Sequence, residues 1–214
     1  MSRVLLPLVA GLLLAACGNT PPSPDWQLNA KGAMERAQEA WLVGNARVEA
    51  AEFARARSEV ASTGRADLLA RVELARCALR VASLVFEECS AFTPLAQDVG
   101  APERAYAAYI AGRAVPEQAA LLPEQHRAVV AVAAQTPDLK AVADPLARLV
   151  AAAVLLQQGR ADPATIALAI DTASVQGWRR PLLAWLGVQA MRAEQGGDSA
   201  ELARIRRRMA LVGQ

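Results

Sequence analysis

Apolar positions in this chain recur at spacings of three and four, and glycine or proline cuts the runs they form. Asp25 precedes Trp26 as a helix N-cap. Ala33, Ala37, Ala40 and Trp41 then mark one face of a first helix that stops at Gly44-Asn45. Val48, Ala51, Phe53/Ala54 and Ala56 predict a second helix, stopped by Thr63-Gly64. A third begins near Asp67, with Leu68, Val72, Ala75, Leu79, Ala82 and Val85 as its expected buried stripe. Residues 86–101 are less regular, carrying Phe92, Pro94 and Gly100. Helical pieces are expected at about 102–112, 116–121 and 123–135, each bounded by proline or glycine.

The last third is more clearly punctuated. Asp144-Pro145 and Asp162-Pro163 each open a helix, because Asp caps free N–H groups and Pro suits the first helical position. Gly159-Arg160 separates these two, and Gly177 ends the second. Pro181 opens another helix through Trp185, and Gly196-Gly197-Asp198 divides it from a last one ending near Val212. No Asn-Gly or Asp-Gly turn is flanked by alternating residues, so no hairpin of strands is expected. Apolar residues make up 54% of the chain but aromatic ones only 4%, and much of the rest is Ala, which suits closely packed helices. The expected fold is all-α, built from antiparallel helix pairs.

The pairing around Gly44, with Ala37, Ala40, Asn45, Phe53 and Ala56 at the packing positions, resembles a tetratricopeptide (TPR) repeat. Glu49 departs from it where the family prefers Ala. Around Gly159, Ala152 and Ala164 also fit, and the pair around Gly196 fits barely. The resemblance implies a TPR-like α-solenoid; the alternative is an irregular helical bundle with short Gly turns.

The N-terminus has a different pattern. Arg3 precedes an apolar stretch from Val4 to Leu14, too short for the roughly 20 residues that cross a bilayer. It ends in Leu14-Ala15-Ala16-Cys17-Gly18, which resembles the lipobox of bacterial lipoproteins. The resemblance implies cleavage between Ala16 and Cys17 and acylation of Cys17. Gly18, where Asp would favour the inner membrane, implies the periplasmic face of the outer membrane, with an inner-membrane lipoprotein as the alternative. Residues 1–16 then form the signal peptide, 17–25 the lipidated Cys with a Pro-rich tether, and 26–214 the helical domain. Anchoring is through the lipid alone.

Removing residues 1–16 leaves 198 residues and, with Arg3 gone, 22 basic against 21 acidic side chains. That balance and the export signal together argue against nucleic acid as a partner. Export also places Cys77 and Cys89 where thiols tend to pair. Pairing needs Cα atoms within about 7 Å, whereas unbroken helix would hold these two about 18 Å apart. A disulfide therefore requires the third helix to end near Val85; otherwise both remain buried free thiols.

Candidate chemistry is sparse. His126, the single histidine, sits in the first turn of an expected helix and reads as a surface residue. Neither a nucleophile elbow nor a metal-ligand spacing accompanies it, so no metal or cofactor is expected. Glu87-Glu88 would point about 100° apart on a helix and so would not share a site.

Two features suit binding. Tyr106 and Tyr109 are three apart with Arg113 near them, offering an interaction surface or, alternatively, core rings. Residues 178–214 carry Arg204, Arg206, Arg207 and Arg208 among their cations and a net charge of +4. Such a face suits anionic lipid or an acidic partner. The reading that follows is a non-catalytic, lipid-anchored scaffold with an envelope protein as partner. The alternatives are a carrier or sensor of a small apolar ligand between helices, and an envelope hydrolase.

Overall fold

The computed structural model describes residues 22–131 and 137–213, and among these every regular element is helical. The α-helices are α1 (Asp25–Leu42), α2 (Ala46–Ala61), α3 (Ala66–Ala82), α4 (Ala101–Ile110), α5 (Glu124–Ala131), α6 (Pro145–Gln157), α7 (Pro163–Val175), α8 (Arg179–Gln195) and α9 (Ser199–Val212). Short 3-10 turns at Thr93–Leu95, Pro116–Leu121 and Leu139–Ala141 fill the connections. The last residues of the piece expected at 123–135 lie outside the described residues.

The local punctuation works as the sequence suggests. Asp144 Oδ1 accepts from the Ala147 N–H at 2.6 Å, and Asp162 Oδ1 from the Thr165 N–H at 2.7 Å. Asn45 and Asp198 cap α2 and α9 in the same way. At the start of α1 the N-cap is Pro24 rather than Asp25, and no side chain caps it. Asp25 instead sits in the first turn, where its charge still suits the positive end of the helix.

The arrangement of helices is less local. α1 and α2 form an antiparallel hairpin that packs on α3. α6 is buried on nearly every side, from Leu149 through Leu155, and takes the centre. It packs against α3, α4, α5 and α7, while α8 and α9 stack outward from α7. α8 then returns to α1: the Arg180 guanidinium donates from Nε to the Trp41 carbonyl at 2.8 Å, across 139 residues of sequence. Trp185, fully buried, donates from Nε1 to the Ala82 carbonyl at 3.2 Å. In a solenoid each repeat touches only its neighbours. The α3–α6 and α1–α8 contacts break that rule, so the packing is that of an irregular bundle.

Two further expectations change. Of the stripe expected in α3, Leu79 and Ala82 are buried, whereas Leu68, Val72 and Val85 are half-buried and Ala75 is exposed; Ala70, Glu73, Leu74, Ala78 and Val81 complete the buried face. α3 is covered by α2, α4 and α6, so three neighbours widen its inner face beyond the expected stripe and leave the stripe's first half at the edge. Glu49, out of place for a TPR repeat, is buried and held by Arg76 through Nε at 2.7 Å and Nη2 at 3.2 Å. It belongs to a series that ties α1 to α4: Arg36–Glu52, Arg76–Glu49, Arg57–Glu73 and Arg71–Glu103.

Candidate functional site

α3 stops at Ala82 because the chain turns sharply. Leu84 takes a left-handed conformation (φ 59°), and the Val85 N–H reaches back to the Arg80 carbonyl at 3.0 Å. The reversal meets the geometric condition for pairing. Cys77 and Cys89 are joined in a disulfide with Cα atoms 5.9 Å apart. The bond staples the segment 83–92 to the side of α3.

This segment and α4 enclose a groove of about 490 Å³. Its floor is the disulfide with Val81, Phe92 and Ile110; Ala107 and Ala108 of α4 and Ala111 just after it form one wall, and Gln157 of α6 lies at the end. Phe86 stands at the rim, 47% exposed. The size falls within the range of ligand pockets, and the lining is apolar with charged edges. Glu87 and Glu88 both line this groove. They lie in non-helical chain, so the helical spacing that would separate them does not apply. Arg104 and Arg113 belong to the same groove, and Arg104 is tied to the Val99 carbonyl. Arg113 thus stands away from the tyrosines: α4 ends at Ile110, and Gly112 (φ 70°) swings the following residue onto the groove.

The tyrosines have separate fates. Tyr109 is fully buried, so it is a core ring and not part of an interaction surface. Its hydroxyl shares a hydrogen bond with His126 Nδ1 at 3.0 Å, and the two rings lie 4.8 Å apart. His126 is therefore buried as well, 2% exposed, in place of the surface residue expected. Helix α5 turns its His126, Val129 and Val130 face inward onto α6. Desolvation pushes the His126 pKa down to about 4, against a smaller upward pull from Asp144. Desolvation and the same Asp144 push Tyr106 up to about 12, and burial, with the neighbouring Tyr106, holds Tyr109 well above its ordinary value. At neutral pH the trio is uncharged.

Tyr106 is half-buried and faces a second cleft of about 430 Å³. Leu74, Pro102, Leu121, Leu122 and Pro123 make it apolar, and the Arg71–Glu103 pair, at 2.9 Å, sits at its edge. Sequence spacing hinted at Tyr106, but Leu121, Leu122 and Pro123 lie in a connection with no helical period to mark them.

The four C-terminal arginines are not one free patch. Arg204 is paired with Glu201 at 2.6 Å and Arg206 with Glu194 at 3.5 Å. Arg208 donates to Ser174 Oγ at 3.1 Å. Arg207 is exposed, with no partner among the described residues. Ala16 and Cys17 lie outside the described residues. Among the described residues no group of His, Cys, Asp and Glu is arranged to hold a metal ion, and no helix is long and apolar enough to cross a membrane. Compared with known proteins, the chain matches no family model, no curated protein and no solved structure.

Proposed function

We propose that this chain is a bacterial lipoprotein, held on the periplasmic face of the outer membrane through Cys17, whose helical domain binds another envelope protein without catalysing a reaction. The leader ending in Leu14-Ala15-Ala16-Cys17-Gly18 supports the location. The observation that carries the binding role is the groove between the 83–92 segment and α4. A disulfide fixes its floor, an exposed aromatic ring stands at its rim, and charges of both signs edge it. Rigid apolar floors with polar edges favour recognition, because little freedom is lost when a partner segment settles. A photo-cross-linking residue at Phe86 in the full chain is expected to capture one defined envelope protein. A cross-linker at exposed Leu28, outside the groove, is expected not to capture it. Equal capture from both positions would refute the groove as the site. Cys17→Ser is expected to abolish acylation and release the protein from the membrane fraction, and continued detergent-sensitive attachment would refute the anchor.

A second reading, a carrier of a small apolar ligand, has its own support in the cleft beside Tyr106. Native mass spectrometry of protein taken from envelopes would reveal a bound mass lost on Leu122→Arg. A ligand-free spectrum would remove this reading.

A further inference from the structure

The groove beside the disulfide carries opposite charges on opposite walls. Arg104, Ala107, Ala108 and Ala111 fall at i, i+3, i+4 and i+7, so α4 and the residue just after it turn one face to the groove. The alanines leave the apolar floor open, while Arg104 and, past Gly112, Arg113 bring two guanidinium groups to this side. The facing wall is the stapled segment, where Glu87 and Glu88 stand exposed beside Phe86. Among the described residues no ion pair joins the two walls.

The surrounding charges do not cancel this layout. Glu87 and Glu88 also line a smaller cleft behind the segment, with Glu73, Arg76 and Arg80. There Arg76 is held by Glu49, Glu73 is held by Arg57, and Arg80 stacks on the Trp41 ring at 4.5 Å. Arg80 faces the two glutamates from that side but comes within ion-pair distance of neither. On the α4 side, Glu103 is taken by Arg71. Asp98 and Glu117, also close along the chain to Arg104 and Arg113, do not line the groove. Inside it the charges are two acids on one wall and two bases on the other.

The groove also offers open main-chain partners. The N–H groups of Phe86, Glu87, Glu88 and Cys89 meet no acceptor among the described residues, and the chain there is neither helix nor strand. At the end of the groove Gln157 donates from Nε2 to the Ile110 carbonyl at 3.1 Å, while its Oε1 accepts from no group among the described residues. A row of open donors and an open acceptor suits another main chain, because an extended segment offers C=O and N–H at every residue. An isolated ion or an apolar small molecule would leave them unused.

We infer that the groove takes an extended polypeptide segment in which an apolar side chain stands between basic and acidic residues. The apolar side chain sits over Val81, Phe92 and Ile110, with the Phe86 ring against it. The basic residues meet Glu87 and Glu88, and the acidic ones meet Arg104 and Arg113. The apolar contact supplies most of the affinity, since exposed ion pairs contribute little each; the charges decide which segment fits and how it lies. This rests on the groove being the binding site and adds the charge pattern of the partner.

The test uses the full chain carrying Cys17→Ser and three fluorescent peptides with the same central leucine. One has two lysines on one side and two glutamates on the other, the second has four lysines, and the third four glutamates. The mixed peptide is expected to bind about fivefold or more tighter than either uniform one, with the difference shrinking as salt is raised. Glu87→Lys/Glu88→Lys is expected to move the preference to the glutamate peptide, and Arg113→Glu to move it toward the lysine peptide. A merely damaged fold would weaken all three alike. Ala108→Trp, which fills the groove, is expected to lose all three. No binding of the mixed peptide, equal affinity for all three, or a ranking that the reversed charges leave unchanged overturns the inference. The groove reading fails separately, when cross-linkers at Phe86 and Leu28 capture the same protein equally.

Discussion

Burial of His126 predicts a pH-dependent stability that this chain is well suited to reveal. His126 is its single histidine. In the unfolded chain the imidazole titrates near its ordinary value of about 6.5. In the folded bundle it is 2% exposed, and desolvation holds its pKa to about 4. A base with a depressed folded pKa binds its proton more readily when unfolded. Stability is therefore full above the unfolded value and falls as pH drops toward the folded one. The two values imply a loss of about 3 kcal/mol in all, of which about 2 kcal/mol falls between pH 7 and pH 5. The carboxylates with shifted values, Glu52, Asp67, Asp162 and Glu201, are all held below their ordinary range and stay charged through that window. Urea unfolding at the two pH values measures the loss directly, and the same loss lowers Tm by about 4–8 °C for a chain of this size. His126→Gln, which cannot take up the proton, is expected to flatten the profile even if it lowers stability at both pH values. A wild-type profile already flat from pH 7 to pH 5, or an equal slope in the variant, would refute the burial argument.

Three other substitutions probe the packing. Cys77→Ala/Cys89→Ala removes a link spanning 12 residues, and chain-entropy arguments put the loss at about 3 kcal/mol in urea unfolding. Glu49→Ala strands the partly buried Arg76 and is expected to cost about 3–5 kcal/mol. Glu49→Ala with Arg76→Met should recover much of that, and the absence of recovery would count against the pair. Gly112→Ala meets both a left-handed backbone (φ 70°) and Gln157 Cβ at 3.3 Å, whereas Gly64→Ala (φ 66°) has nothing within 4 Å. Both are expected to lose about 1–2 kcal/mol from the backbone alone, and Gly112→Ala more; thermal melts giving equal losses would remove the contact from the account.

What depends on neighbours along the chain is legible in the residues alone. Gly44-Asn45, Asp144-Pro145, Asp162-Pro163 and Gly196-Gly197-Asp198 mark helix ends because caps and left-handed turns are made by residues within one turn of each other. The same local logic stated the condition for the Cys77–Cys89 bond, a helix ending near Val85, and the turn at Leu84 meets it. Tertiary structure decided what depends on contacts far apart in sequence. His126 and Tyr109 are inside because α5 lies against α6, and no feature of Pro123-Glu124-Gln125-His126 carries that information. Glu49 is tolerated inside because Arg76 arrives from another helix, and α3 buries Ala70, Glu73, Leu74, Ala78 and Val81 beyond the expected stripe because three helices cover it. The C-terminal arginines counted as one patch separate: Arg204 and Arg206 pair with Glu201 and Glu194, Arg208 bonds to Ser174 on α7, and Arg207 stays exposed. Charge and apolarity are properties of residues, but a surface is a property of which helices end together, and packing free energy between distant segments sets that.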